Sequence, residues 1–170
     1  MKYSFAPLAD DRVAVLVLGS LPGERSLAVN EYYGHPRNRF WHVIAGISGH
    51  PLPLAYAEKR DLLSRLGIGL WDVARGANRE GSLDSAIRDE EPNDIPRFIA
   101  AHPRLRLIAF NGQKPARLFN KYFQPAPGIV HATLPGTSPA NAAWHLDRLC
   151  QAWHEALSVA LPDTLPARYP

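Results

Sequence analysis

Four short apolar runs punctuate the chain: VAVLVLG (13–19), IGLWDV (68–73), LRLIAF (105–110) and GIVHATL (128–134). Each has the length of a buried strand. The first and third are almost unbroken in apolar residues, as strands covered on both faces require. Between the runs, apolar positions recur at helical spacing. LAYAEKRDLLSRLG (54–67) predicts a helix stopped at Gly67, a residue suited to the left-handed terminus. PNDIPRFIAAHP (92–103) offers Asn93 or Asp94 as a cap with Pro96 in the first turn, and GQKPARLFNKYF (112–123) accommodates Pro115 in the same way. FWHVIAGISG reads as a further helix with Trp41 in the core. The last helix is predicted to open at Ser138 with Pro139 at its first position, and Leu146, Cys150, Trp153, Leu157 and Ala160 form its apolar stripe.

Strands alternating with helices imply an α/β chain: a three-layer fold with a central, mainly parallel four-stranded sheet and helices on both faces. We expect one domain over residues 1–160 and a flexible tail over 161–170. Such sheets bind ligands at the carboxyl ends of their strands. The segments expected there are GSLPGERSL with YYGHPRNRFW, then ARGANREGSLDS, NGQ and PGTSPANA.

Composition narrows the class. The 170 residues are 46% hydrophobic and 21% charged, ordinary for a soluble globular protein. No apolar run approaches the length of a membrane span and the N-terminus lacks the features of a signal peptide, so a cytoplasmic protein is expected. A single cysteine, Cys150, excludes a disulfide within the chain and any cysteine-built zinc or iron–sulfur site. Its place on an apolar stripe predicts a buried thiol. The net charge of +3 says little, but fifteen of the nineteen basic residues are Arg. Arg suits bidentate phosphate contacts, although a GC-rich genome produces the same bias.

The expected loop tips carry little acid–base chemistry. GSLPG is a tight turn without the spacing of either common nucleotide-binding glycine motif. Asp72 and Asp84 read as strand-end and cap residues, and His35 and His42 have no metal-ligand partners in sequence. What remains is neutral: Ser20, Asn38, Asn111, Thr137, Ser138 and Asn141. Amides and hydroxyls suit a reaction with a good leaving group, in which positioning does most of the work. The segment YYGHPRNRFW (32–41) adds Tyr32, Tyr33, Phe40 and Trp41 to Arg37 and Arg39, a mixture that stacks bases and holds phosphates. Tyr32 and Tyr33 fit either the core or a cleft wall.

GSLPG after the first strand, HPRNRFW soon after it, FNG ending the third and LPGTSPAN after the fourth together resemble the uracil-DNA glycosylase superfamily over residues 13–148. The combination of GSLPG with YYGHPRNRFW is most similar to its hypoxanthine-DNA (deoxyinosine) glycosylase branch. The resemblance implies a monofunctional enzyme that hydrolyses the N-glycosidic bond of a flipped-out deaminated base, hypoxanthine first, with uracil and xanthine as alternatives, in base excision repair. It implies a monomer acting on double- or single-stranded DNA, without a membrane partner, metal or organic cofactor. The superfamily places an acidic or amide residue at the second or third position of its first motif, where this chain has Ser20 and Leu21, and Leu134 and Gly136 replace the common histidine and serine of the last motif. By resemblance, the catalytic amide is then Asn38, assisted by Ser20. Phe40, Asn111, Leu21 and Gly19 are expected around the base, with Phe40 stacking on it and Asn111 reading its edge. Pro22, Gly23, Arg37, Arg39, Pro135, Gly136, Thr137, Ser138 and Asn141 are expected along the DNA. Two other readings stay open: a non-catalytic DNA-binding module on the same fold, and an α/β enzyme acting on free nucleosides or nucleotides.

Overall fold

The computed structural model describes residues 1–170. In chain order its elements are β1 (Lys2–Tyr3), β2 (Val15–Gly19), α1 (Glu24–Val29), α2 (Phe40–Ser48), α3 (Tyr56–Leu66), β3 (Ile68–Asp72), β4 (Ala74–Asn78), β5 (Arg88–Pro92), α4 (Ile95–Ala101), β6 (Leu107–Asn111), α5 (Gln113–Tyr122), β7 (Val130–Leu134) and α6 (Leu146–Ser158). Four strands form a wholly parallel sheet in the order β3-β2-β6-β7. The predicted four-stranded α/β architecture is therefore present.

Strand alternation explains the unbroken apolar run of β2. Val15 and Val17 face one core with Ile68, Leu70, Leu107 and residues of α2, α3 and α6. Leu16 and Leu18 face the other with Ile108, Phe110 and residues of α4 and α5. A strand with helices on both sides has no position for a polar side chain until it ends. The stop of α3 at Gly67 is as predicted, with φ 82°. Asp94 caps α4 by accepting from the Arg97 N–H at 3.1 Å, and Cys150 is buried.

Three features depart from the sequence reading. A second, antiparallel sheet of β1, β4 and β5 lies beside the first. Residues 161–170 are not a loose tail: Leu161 and Leu165 enter the larger core, Thr164 Oγ1 donates to the Leu66 carbonyl at 2.8 Å, and the Pro166 carbonyl lies 2.7 Å from His154 Nε2. The last helix begins at Leu146, eight residues after Ser138. The reason is Arg39, whose guanidinium donates to the carbonyls of Ser138, Asn141 and Trp144. Two of those oxygens also accept turn bonds, Ser138 from the Asn141 N–H at 3.0 Å and Asn141 from the Trp144 N–H at 3.3 Å, so Arg39 braces residues 138–144 as successive turns.

Candidate active site

The four parallel strands end level with one another. Register pairs Gly19 with Asp72 and Asn111 with Leu134, and Leu18 beside Phe110 brings the two pairs together. The loops that follow build a cleft with two unlike sides.

One side is neutral. Asn111 Nδ2 donates to Thr137 Oγ1 at 3.0 Å, and the Thr137 N–H donates back to Asn111 Oδ1 at 2.9 Å. Thr137 Oγ1 in turn donates to Asn38 Oδ1 at 2.9 Å, and that oxygen also accepts the Phe40 N–H at 3.0 Å. The Arg39 N–H meets the Thr137 carbonyl at 3.1 Å, stitching the two loops together. Because two donors converge on Asn38 Oδ1, its orientation is determined, and Nδ2 is the atom left to face outward. Asn38 therefore offers a hydrogen-bond donor. It is suited to supporting negative charge on a departing group and has no acceptor left to take a proton from water.

Tyr33 forms the wall between the two sides. Its backbone is left-handed, with φ 53°, a conformation that costs a bulky residue energy and is found where the surroundings impose it. One face of its ring stacks on Phe40, with centroids 4.2 Å apart and planes at 27°. Its hydroxyl reaches toward Gly19: a β-carbon there would lie 3.3 Å from Tyr33 Oη and 2.7 Å from Asp72 Oδ1. Glycine at 19 is thus what lets a phenol and a carboxyl approach the strand end together. Burial raises the Tyr33 pKa, as does the Asp72 charge, so the phenol stays protonated.

The other side is ionisable. Asp72 closes β3 and is buried. Burial pushes its carboxyl up to about 7, the Ser4 hydroxyl bond at 2.8 Å and the Arg79 charge pull it down, and Asp84 pushes it up again. Arg79 is buried beneath the first-strand turn, donating to the carbonyls of Leu21 and Pro22. Its pKa is lowered, mainly by burial. Asp84 accepts the Ser20 hydroxyl at 2.5 Å. Two further concavities lie away from the cleft. One of about 350 Å³ beside Val13 and Ile68 is at the opposite end of the sheet, and one of about 590 Å³ lies between α6 and the C-terminal segment.

With this geometry in view, a family model described as the uracil DNA glycosylase superfamily matches residues 6–158. The chain belongs to the uracil DNA glycosylase superfamily. A curated relative from Methanosarcina acetivorans, called a hypoxanthine DNA glycosylase, is 39% identical over 151 residues, covering 87% of this chain and 93% of the relative. Another from Methanosarcina barkeri, with the same description, is 42% identical over 114 residues, or 66% of this chain and 72% of the relative. The solution NMR structure of a Methanosarcina acetivorans protein described as a candidate uracil DNA glycosylase superposes with a TM-score of 0.78. It is 36% identical, and the match covers 94% of this chain and 98% of that one.

All four segments that resembled superfamily motifs reach the cleft, but not every residue singled out in them faces it. Phe40 has 0% exposure and lies under Tyr33 in the larger core, so the ring available at the cleft is Tyr33. Leu21 is buried in a small apolar cluster with Ala74, Ala77 and Ile87. Thr137, expected along the DNA, has 0% exposure and is the hub of the amide network. Arg39 spends its donors on three backbone carbonyls, whereas Arg37 is exposed and its guanidinium bonds to no protein group. The PGTSPAN loop is braced from within: Trp153 Nε1 donates to the Pro135 carbonyl, Asn141 Nδ2 to the Gly136 carbonyl, and the Ala140 N–H to Ser138 Oγ. Ser138 is exposed but does not stand at a helix terminus. Gly19 and Ser20 lie in the turn, with Ser20 buried, Pro22 is buried in it and Gly23 packs against Ser82.

The superfamily resemblance did not point to Tyr33, Asp72, Asp84 or Arg79. A signal for Asp72 existed: it is the polar residue that ends an apolar strand at the binding edge of the sheet. Asp84 gave none, because an aspartate in a loop has the same appearance whether it caps a turn or faces a cleft.

Proposed function

We propose that the chain is a monofunctional DNA glycosylase that removes a flipped-out deaminated base, hypoxanthine above uracil or xanthine, as the opening step of base excision repair. The observation that carries this reading is the convergence of Tyr33, Asp72 and the Asn38 amide at the ends of β2 and β3 and the loop between them. An aromatic face, an edge-reading carboxyl and a donor for a departing anion are what extraction and cleavage of a base require. The curated relatives described as hypoxanthine DNA glycosylases support the choice of base.

In this reading the free face of Tyr33 stacks on the extruded base. Asp72, pushed up by burial to about 7, is about half protonated there, and in its neutral form presents one donor and one acceptor, matching the carbonyl and ring N–H that deamination creates. Asn111, already doubly bonded to Thr137, positions the network and does not read the base alone. Asn38 Nδ2 supports the base as negative charge gathers on it. Arg37 meets a phosphate. The partner is duplex DNA, with single strands also accepted, and the protein acts as a monomer.

The test uses oligonucleotides carrying hypoxanthine, uracil, xanthine or a G·T mismatch, incubated with the protein and then treated with alkali. Strand cleavage is expected first and fastest at hypoxanthine. Cleavage at none of the four, with tight salt-sensitive DNA binding retained, makes the protein a binding module. Activity on free nucleosides with little affinity for DNA makes it a nucleoside enzyme.

A further inference from the structure

Hydrolysis of a glycosidic bond builds positive charge at the sugar carbon and requires the attacking water to lose a proton. Carboxylates serve both needs in glycoside hydrolysis. The turn Gly19–Gly23 contains no acid, and Asn38 faces outward with a donor. The tertiary structure brings a carboxylate to this turn from 64 residues along the chain: Ser20 Oγ donates to Asp84 Oδ1 at 2.5 Å.

Several contacts hold the loop carrying Asp84 over the turn. Ser82 Oγ accepts the Glu24 N–H at 2.9 Å, and a β-carbon on Gly23 would touch Ser82. Arg79, buried, ties the carbonyls of Leu21 and Pro22 and places Nη1 4.0 Å from Asp84 Oδ1. Its Nε is the one buried side-chain polar atom without a hydrogen-bond partner, so the guanidinium's placement here costs a donor. The side chain of Asp84 accepts no backbone N–H, which removes the cap role read from the sequence. That side chain is 49% exposed, and Oδ2 accepts no hydrogen bond from the protein.

We propose that Asp84, held by Ser20 against the first-strand turn, is the catalytic carboxylate of the proposed glycosylase, an inference that rests on that reading of the site. In the step, the bond from the sugar C1′ to the base nitrogen breaks and its electron pair leaves with the base. The water oxygen bonds to C1′. One water proton stays on the new C1′ hydroxyl and the other passes to Asp84 Oδ2. The departing base takes a proton from solvent, and Asp84 returns its own to solvent. Before water arrives, the same carboxylate faces the positive charge growing on the sugar.

The experiment compares the wild type, Asp84→Asn and Ser20→Ala. It measures single-turnover cleavage of a deoxyinosine duplex, binding to the same duplex carrying uncleavable 2′-fluoro-deoxyinosine, and the thermal melt of each protein. Asp84→Asn is expected to slow cleavage by about 10²-fold or more while binding and melting stay at wild-type values. Ser20→Ala, which releases the carboxylate without removing it, is expected to show a smaller loss in the same constant. Cleavage by Asp84→Asn at the wild-type rate overturns the assignment, as does a loss matched by an equal loss of binding. A wild type that cleaves no deaminated substrate overturns the glycosylase reading itself, so the two failures are distinguishable.

Discussion

On one side of the cleft Asn38, Thr137 and Asn111 are joined by three hydrogen bonds, with a fourth from the Phe40 N–H, and carry no formal charge, while on the other Asp72, Asp84 and Arg79 gather around a single turn. On the neutral side every side-chain polar atom but Asn38 Nδ2 has a partner, so it behaves as a rigid template that pH does not alter. The ionisable side is under tension: a carboxyl is pushed up by burial, a guanidinium lacks one bond, and a second carboxylate is half open to water. In the proposed mechanism, orientation falls to one side and proton chemistry to the other.

The largest effect expected from breaking this contrast is on stability at Asp72. An ordinary aspartate ionises near 3.8, whereas Asp72 holds its proton to about 7 in the folded protein. Between those values the folded state binds the extra proton. The stability this contributes is complete below the unfolded value and is lost as pH rises through about 7. Asp72→Asn removes the dependence and should be more stable than wild type on the alkaline side, by at most about 4 kcal/mol. Urea unfolding of both proteins across pH values from about 4 to 8 checks this. A wild-type curve no steeper than the variant's would show that Asp72 is already ionised in the fold.

Next in size is Asn38→Ala on the neutral side. Loss of one oriented donor at a developing anion is expected to lower turnover by about 10²–10³-fold, with affinity for DNA largely retained. Single-turnover kinetics alongside a binding titration separate the two. Turnover close to wild type would move the catalytic work wholly to the ionisable side.

The two arginines of the HPRNRFW segment sharpen the comparison at lower energy. Arg39→Ala frees three carbonyls of residues 138–144 and should cost about 1–3 kcal/mol of stability, read as a shift in the urea midpoint. Arg37→Ala should leave stability unchanged and reduce the salt dependence of DNA binding by about one counterion. If the two variants exchange these effects, the assignment of staple and phosphate contact is reversed.

Legibility along the chain followed physics. The inner strands β2 and β6 were readable because a strand covered on both faces must be apolar until it ends. The strand Arg88–Pro92 was not, since RDEEP has no alternation and its pairing with β4 rests on backbone bonds. The start of α6 was misread because a serine followed by proline is a sound local signal, and Arg39, a hundred residues earlier, overrides it. Phe40, expected at the base, is buried, and Tyr33, left open between core and cleft wall, stacks over it. Two aromatics seven residues apart give no sign in sequence of which one a left-handed backbone will leave outermost.

The sequence by itself determined the parallel α/β sheet and the order of the four loops at its carboxyl edge, because hydrophobic period and motif order act over short range; Asn38 was singled out by resemblance to the superfamily, not by spacing. Only the tertiary structure decided which atoms face the cleft. Thr137 was turned inward to orient two amides, Phe40 was buried beneath Tyr33, and Asp84 was carried to a turn that has no acid. The placements of Thr137 and Asp84 depend on contacts between residues 26 to 99 positions apart, and no local pattern encodes where such partners will meet.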